Sequence, residues 1–252
     1  MTSPPAHRPR RAPSTASSSA LALAGAFIVT LLALCALLPQ NAYAQTTPRA
    51  IAIIGTERVG GALARLWAQA GHDVLLAAPR PSTHFHLAAD IGARTGTLTE
   101  AIEFGDVIVL ATPYRALARI SERHGAQLAG RIVLDATHPQ PHRDGELAVA
   151  ARASGTAAVS ARLLPNARLV RAFSSVPVTR LLSEAHREAP RVGIPFATDD
   201  ALAADTVGQL VRDAGFDPVH LGALVQARAF DPGAPLFGRA LSAARIRHTL
   251  EQ

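Results

Sequence analysis

A doubly wound α/β fold on a mostly parallel sheet, with a helical segment closing the C-terminus, is what the sequence predicts, and three observations predict it. Apolar runs alternate with helical patterns from residue 50 to the end of the 252-residue chain. The runs are rich in Val, Ile and Leu without the in–out alternation of half-exposed strands, so helices must cover both faces of their sheet. The first run, Ile51–Ile54, enters Gly55, and a helical pattern then opens near Val59 with Gly60 and Gly61. Strand, tight turn and helix in that order form the setting of a dinucleotide-binding turn.

Strands are expected at Ala50–Ile54, Asp73–Ala78, Asp106–Ala111, Arg131–Ala136, Arg168–Phe173, Val192–Ala197 and Pro218–Leu221. Helices are expected at Val59–Ala70, Phe85–Ile91, Tyr114–His124, Ala157–Leu164, Val178–Arg187, Ala201–Ala214 and Pro235–Leu250. The last is amphipathic over Leu236–Leu250, with arginines at 239, 245 and 247, and is a candidate homodimer contact. His138–Glu146 is a polar, Pro-containing loop after a strand end, the edge of an open α/β sheet where ligands sit. Nothing repeats and no long linker interrupts the pattern. Residues 45–252 are therefore expected to form a single domain, with 45–140 as a nucleotide half and 141–252 as a second half on the acceptor side.

The first 44 residues differ in kind. Arg8, Arg10 and Arg11 with no acid, an apolar run Ala20–Leu38 and then Ala42-Tyr43-Ala44 make a secretory signal peptide with cleavage after Ala44. The other reading is an uncleaved anchor, because the run approaches spanning length; the membrane is then met through the leader alone. Either way the basic end stays inside, and the domain is expected outside the cytoplasmic membrane, periplasmic or secreted. Cys35, the single cysteine, lies within the leader, so the mature chain has no thiol for disulfides, metal sites or nucleophilic catalysis. Of the 25 basic residues, removing three leader arginines leaves 22 against 19 acids, and none of the 25 is lysine. No basic run with interleaved aromatics occurs in the mature part, which gives nucleic-acid binding no support.

The glycine turn reads Gly55-Thr56-Glu57-Arg58-Val59-Gly60, so glutamate stands where a second glycine would let the backbone approach a diphosphate. A carboxylate about 5 Å from a phosphate, at an effective dielectric near 20, costs roughly 3 kcal/mol per unit charge. That is about two orders of magnitude in affinity if nothing offsets it. Arg58 is placed to offset part of it. After the second strand an NAD-binding protein would offer an acid to the ribose; here Arg80 stands instead, a fork suited to the 2′-phosphate of NADP or else a solvated loop residue.

The order G-T-x-x-V-G-G-A-L-A, A-G-H-D-V, a strand ending in Arg80, V-L-A-T-P, D-A-T-H-P, R-A-F-S-S-V-P and G-F-D-P-V resembles the NADP-dependent deazaflavin-coenzyme reductases. It is also similar to the cytosolic domains of six-transmembrane metalloreductases. The likeness runs from about residue 50 to residue 245 and implies a Rossmann-like domain. It implies NADP lying across Gly55, Thr56, Arg58, Val59 and Gly60, with Arg80 on the 2′-phosphate and Thr112-Pro113-Tyr114 along the nicotinamide. Departures from the family pattern fall at Glu57, Pro79, His138 and Ser174, all on the ligand face. The implied reaction is hydride transfer between nicotinamide and a second ring, with the protein supplying orientation and water exclusion.

His138 and Ser174 are the residues expected nearest that chemistry. His138 is either a proton or hydrogen-bond donor or a plain loop residue, and Ser174 and Ser175 either donate to ligand or cap the following helix. His84/His86 and His138/His142 lack diagnostic metal spacing, so no metal site is expected. Asp199-Asp200 reads as a helix N-cap, and Trp67 as core. Two functions follow. One is an exported NADP-dependent oxidoreductase acting on a small-molecule acceptor: flavin-like, deazaflavin or metal complex. The other is a non-catalytic Rossmann module kept for an anionic ligand or a protein partner.

Overall fold

The computed structural model describes residues 47–78 and 80–252; the leader with its cleavage site near Ala44, Cys35 and Pro79 lie outside the described residues. Six strands form one parallel sheet in the order β3-β2-β1-β4-β5-β6. They are β1 (Ala50–Ile54), β2 (Asp73–Ala77), β3 (Arg94–Gly96), β4 (Val107–Leu110), β5 (Ile132–Asp135) and β6 (Arg168–Arg171). Alternate residues of each strand enter opposite cores. Ile51, Ile53, Val107 and Val109 pack with Trp67 on one face, and Ala52, Ile54, Ile108 and Leu110 pack with Tyr114 on the other. This two-sided burial is the reason the strands read as unbroken apolar runs.

Two expected strands do not extend that sheet. β7 (Gly193–Phe196) and β8 (Asp217–His220) pair in parallel with each other. They join the main sheet through an antiparallel bridge between Arg171 and Ala197, whose backbone N–H groups donate reciprocally at 3.0 and 3.1 Å.

The helices are α1 (Val59–Gln69), α2 (Phe85–Ile91), α3 (Leu98–Phe104), α4 (Ala116–Leu128), α5 (Pro141–Asp144), α6 (Glu146–Ser154), α7 (Thr156–Leu163), α8 (Val178–Ser183), α9 (Ala201–Asp213) and α10 (Ala243–Leu250). Trp67 on α1 is fully buried and its indole N–H donates to the carbonyl of Leu210 on α9 at 2.9 Å, so it is core as expected. Asp200 is the N-cap of α9, accepting from the Ala203 N–H at 2.8 Å, and is held by a two-pronged contact from Arg168. That guanidinium and the capping N–H bring the Asp200 pKa down to about 2.

Three expectations are corrected. The closing helix begins at Ala243 rather than Pro235. Gly233 and Gly238 adopt positive φ (88° and 73°), and Ser242 accepts from the Arg245 N–H as the true N-cap. The segment 138–146 is not all loop, because α5 forms within it. β3, α3 and α6 lie where no regular element was expected. α3 carries the full Thr97–Glu100 capping box, a signal present in the sequence.

The register along the sheet decides where function gathers. Ile54 pairs with Ala77 and Leu110, Leu110 with Asp135, and Asp135 with Arg171. The loops that follow these residues therefore emerge from one carboxyl edge, and chain order reverses between β1 and β4. That reversal opens the crevice where such sheets bind ligands.

Candidate active site

Gly55 sits at the reversal with φ +93°, and a Cβ there would lie 2.8 Å from the Ala111 carbonyl oxygen. A Cβ at Gly60 would lie 1.8 Å from the Gly55 carbonyl oxygen. Turn, helix and the loop after β4 thus close on one another only because both positions are glycine. Thr56 is buried, and its hydroxyl bonds the ring of His84 at 2.7 Å, tying the turn to the short 3₁₀ helix Pro81–His84 after β2. Glu57 and Arg58 are exposed, and among the described residues Glu57 makes no hydrogen bond or ion pair.

A cavity of about 420 Å³ opens beside the turn. Arg58 and Val59 line it from the turn, Thr112 and Pro113 from the loop after β4, His138 from the loop after β5, and Ser174 from the loop after β6. Both sequence-derived catalytic candidates therefore share a wall with four of the eight cofactor-binding candidates, Arg58, Val59, Thr112 and Pro113, but not with Gly55, Thr56, Gly60 or Arg80. A second cavity, about 520 Å³, lies on the other side of the turn between Gly55, Thr56, Ala78 and α4, with Arg119 and Arg123 on its rim. Glu57, Thr112 and Pro113 border both cavities. Arg80 lines neither; it is exposed three residues beyond β2, and its guanidinium has no partner among the described residues.

Two signs mark the first cavity as built for a ligand. Thr112 Oγ1, His138 Nδ1, Ser174 Oγ and Ser175 Oγ are all buried without a hydrogen-bond partner, and their four residues line this one cavity. Such atoms ordinarily cost about 1–3 kcal/mol each when left unpaired. The second sign is backbone strain: Arg58 (φ 38°) and Phe173 (φ 59°), both on the cavity wall, occupy the left-handed region without being glycine. Such strain clusters at functional sites, although His186 (φ 56°), away from this cavity, shares it. Ser174 and Ser175 do not cap α8, which has no side-chain cap, so their hydroxyls remain available.

The His138 ring stacks on Phe237, centroids 5.1 Å apart, while Arg143 donates to the His138 carbonyl at 2.6 Å. Burial, then the charges of Arg171 and Arg143, lower its pKa below the ordinary 6.5. The ring is neutral at pH 7 and is available as a hydrogen-bond donor or acceptor rather than as an imidazolium. Because the unfolded chain takes up this proton first, the ring's contribution to stability is complete above pH 6.5. It is lost as pH falls from there through the folded pKa. An NMR titration should place the His138 midpoint below 6.5; a midpoint at or above that value contradicts the assignment.

The loop carrying His138 is fixed by Asp144. Burial acts to raise its pKa, but Arg143 and the N–H groups of Gln140 and Arg115 outweigh it and hold the carboxylate below its usual range. Beneath the cavity, Asp135 and Arg171 are fully buried and paired at 3.1 Å. Asp135 also accepts from the Thr137 N–H (2.9 Å) and the Ser160 hydroxyl (2.7 Å). Tyr114, its phenol pushed up by burial and so kept protonated, donates to the Thr156 carbonyl at 3.0 Å. Sequence reasoning missed Arg143 and Phe237, and weighed His84 only as a metal ligand rather than as the partner of Thr56. Each acts through a contact with a partner that no local pattern identifies.

This edge is that of a Rossmann-like α/β fold. Within that class, residues 50–139 match the family described as NADP oxidoreductase coenzyme F420-dependent, the resemblance that the sequence motifs carry. A hypothetical protein from Sinorhizobium meliloti superposes with a TM-score of 0.66 at 26% identity over 81% of this chain and 99% of its own. A candidate F420-dependent NADP reductase from Arthrobacter sp. superposes at 0.60, with 18% identity over 77% and 99%. The 3-hydroxyisobutyrate dehydrogenase of Mycobacterium tuberculosis superposes at 0.53, with 17% identity over 73% and 57%. No curated protein matches. The family match supports an NADP oxidoreductase, and the superpositions share its fold. Among the described residues, no group of three or more His, Cys, Asp or Glu could hold a metal ion, and no helix is long and apolar enough to cross a membrane.

Proposed function

We propose that this chain binds NADP(H) across the Gly55–Gly60 turn and passes hydride to a flavin-like, deazaflavin or metal-complex acceptor in the first cavity, outside the cytoplasmic membrane. The observation that carries this reading is the convergence of Thr112, His138, Ser174 and Ser175, with four unpartnered buried polar atoms, on a cavity that begins at the glycine turn. Gly55 and Gly60 let the turn, α1 and the loop after β4 close on one another, which is the frame of a dinucleotide turn. The unpaired N–H groups opening α1 favour its diphosphate. When bound, the nicotinamide supplies a hydride donor or acceptor.

The chain's own part is placement. Thr112 and Pro113 border the nicotinamide side, the serine hydroxyls donate to ring carbonyls or amides, and neutral His138 contributes one more hydrogen bond. Arg80 meets the 2′-phosphate. Titration of the mature domain by NADPH fluorescence should give saturable binding that NADH reproduces at least tenfold more weakly, as expected for loss of an arginine–phosphate contact. No binding at millimolar NADPH would refute the proposal.

Thr112→Val sharpens the test. The hydroxyl has no partner to lose, so folding stability should equal the parent's or exceed it by up to about 1–3 kcal/mol. Hydride transfer to an artificial acceptor should fall about tenfold. Equal activity would remove Thr112 from the site.

A second reading, a non-catalytic module, is favoured by one observation: the Glu57 charge stands between both cavities with no ion pair among the described residues. The same titration separates the two, since a module of that kind does not distinguish NADPH from NADH.

A further inference from the structure

We propose that a third cavity, of about 550 Å³ and separate from the nucleotide crevice, binds a small organic anion that also carries a hydrogen-bond donor: a hydroxy- or amino-carboxylate. It lies between α6, α7 and the segment 231–234, and shares no lining residue with the first cavity. The segments 138–143 and 231–238 form the partition. His138, Gln140 and Phe237 turn to one side, and Pro139, Pro141 and Asp231 to the other.

Its chemistry comes from four side chains. Arg152 is exposed on the rim and pairs with nothing among the described residues. Arg228 is folded over Gly155, where a Cβ would lie 3.0 Å from its Nε. It spends one N–H on the Ala153 carbonyl at 2.6 Å, leaving the rest of the guanidinium free. Thr156 is 1% exposed and its Oγ1 has no partner. Asp231 accepts the Thr156 N–H on one carboxylate oxygen at 2.9 Å, while its other oxygen is buried with no partner.

Two guanidiniums select an anion. The carboxylate of Asp231 selects against a bare anion and in favour of one that brings an N–H or O–H to its open oxygen. The Thr156 hydroxyl completes a ring of donor, acceptor and charge that the protein itself leaves unsatisfied. Pro139, Ala148 and Pro232 give the ligand's carbon skeleton an apolar wall.

The proposal is independent of NADP binding and is tested beside it. L-malate and L-phenylalanine are titrated into the full chain by ligand-observed NMR, with succinate and 3-phenylpropionate as counterparts lacking the donor. One of the first pair should saturate at millimolar concentration or below, and its counterpart should bind at least about tenfold more weakly. Arg152→Ala should weaken binding by about tenfold or more and Thr156→Val by about threefold. NADPH affinity, read in the same samples, should be unchanged in both variants. The proposal is overturned if neither probe binds below about 10 mM, if the counterparts bind equally well, or if both variants bind as the parent does.

Discussion

Glu57→Gln should tighten NADPH binding by about tenfold. The repulsion between a carboxylate and a phosphate 5 Å away reaches about two orders of magnitude in affinity at an effective dielectric near 20. Glu57 is exposed, so water and counterions take away much of that effect. The gain should therefore shrink between low and physiological salt, the signature of a charge effect rather than a change of shape. Glu57→Gly should gain more, because it also removes a side chain from the surface the diphosphate approaches. Fluorescence titration at two ionic strengths measures both, and unchanged affinity in both variants would show that Glu57 turns away from the nucleotide.

Asp135→Asn should destabilise the domain by about 3–5 kcal/mol, the usual cost of stranding a buried charge by removing its partner. For a chain of this size the melting temperature falls by on the order of 10 °C. Arg171 is the stranded group. It is fully buried, and its Nε and Nη2 already have no hydrogen-bond partner. Adding Arg171→Met to Asp135→Asn should recover most of the loss, so the double variant is more stable than the single one. Thermal unfolding of the three proteins decides the matter. A single variant within 1 kcal/mol of the parent would mean that Arg171 finds its compensation elsewhere.

The sequence made the first half of the domain legible because its signals are local. Ile51–Ile54, Gly55 and Gly60 are adjacent in the chain, and their physical roles are fixed by backbone geometry alone. β3 was not legible, since Arg94–Gly96 has no apolar run and becomes a strand by pairing with β2. The C-terminal helix was read too long because amphipathic spacing continues through Gly238, whose left-handed backbone ends any helix. At the site, His138 and Ser174 were recognisable as departures from a family pattern. Phe237 was not, since stacking on a residue far upstream leaves no trace in its own neighbourhood. The Asp135–Arg171 pair was hidden for a related reason: a strand register, not a motif, brings the two together.

That same register separates two kinds of inheritance. Ile54, Leu110, Asp135 and Arg171 hold the sheet edge together, while Glu57, Thr112, His138 and Ser174 stand on the loops beyond it. Chemistry at the loop tips can diverge by single replacements without disturbing the hydrogen-bonded frame beneath. A scaffold partitioned in this way is free to exchange one ligand for another while its melting behaviour stays almost constant.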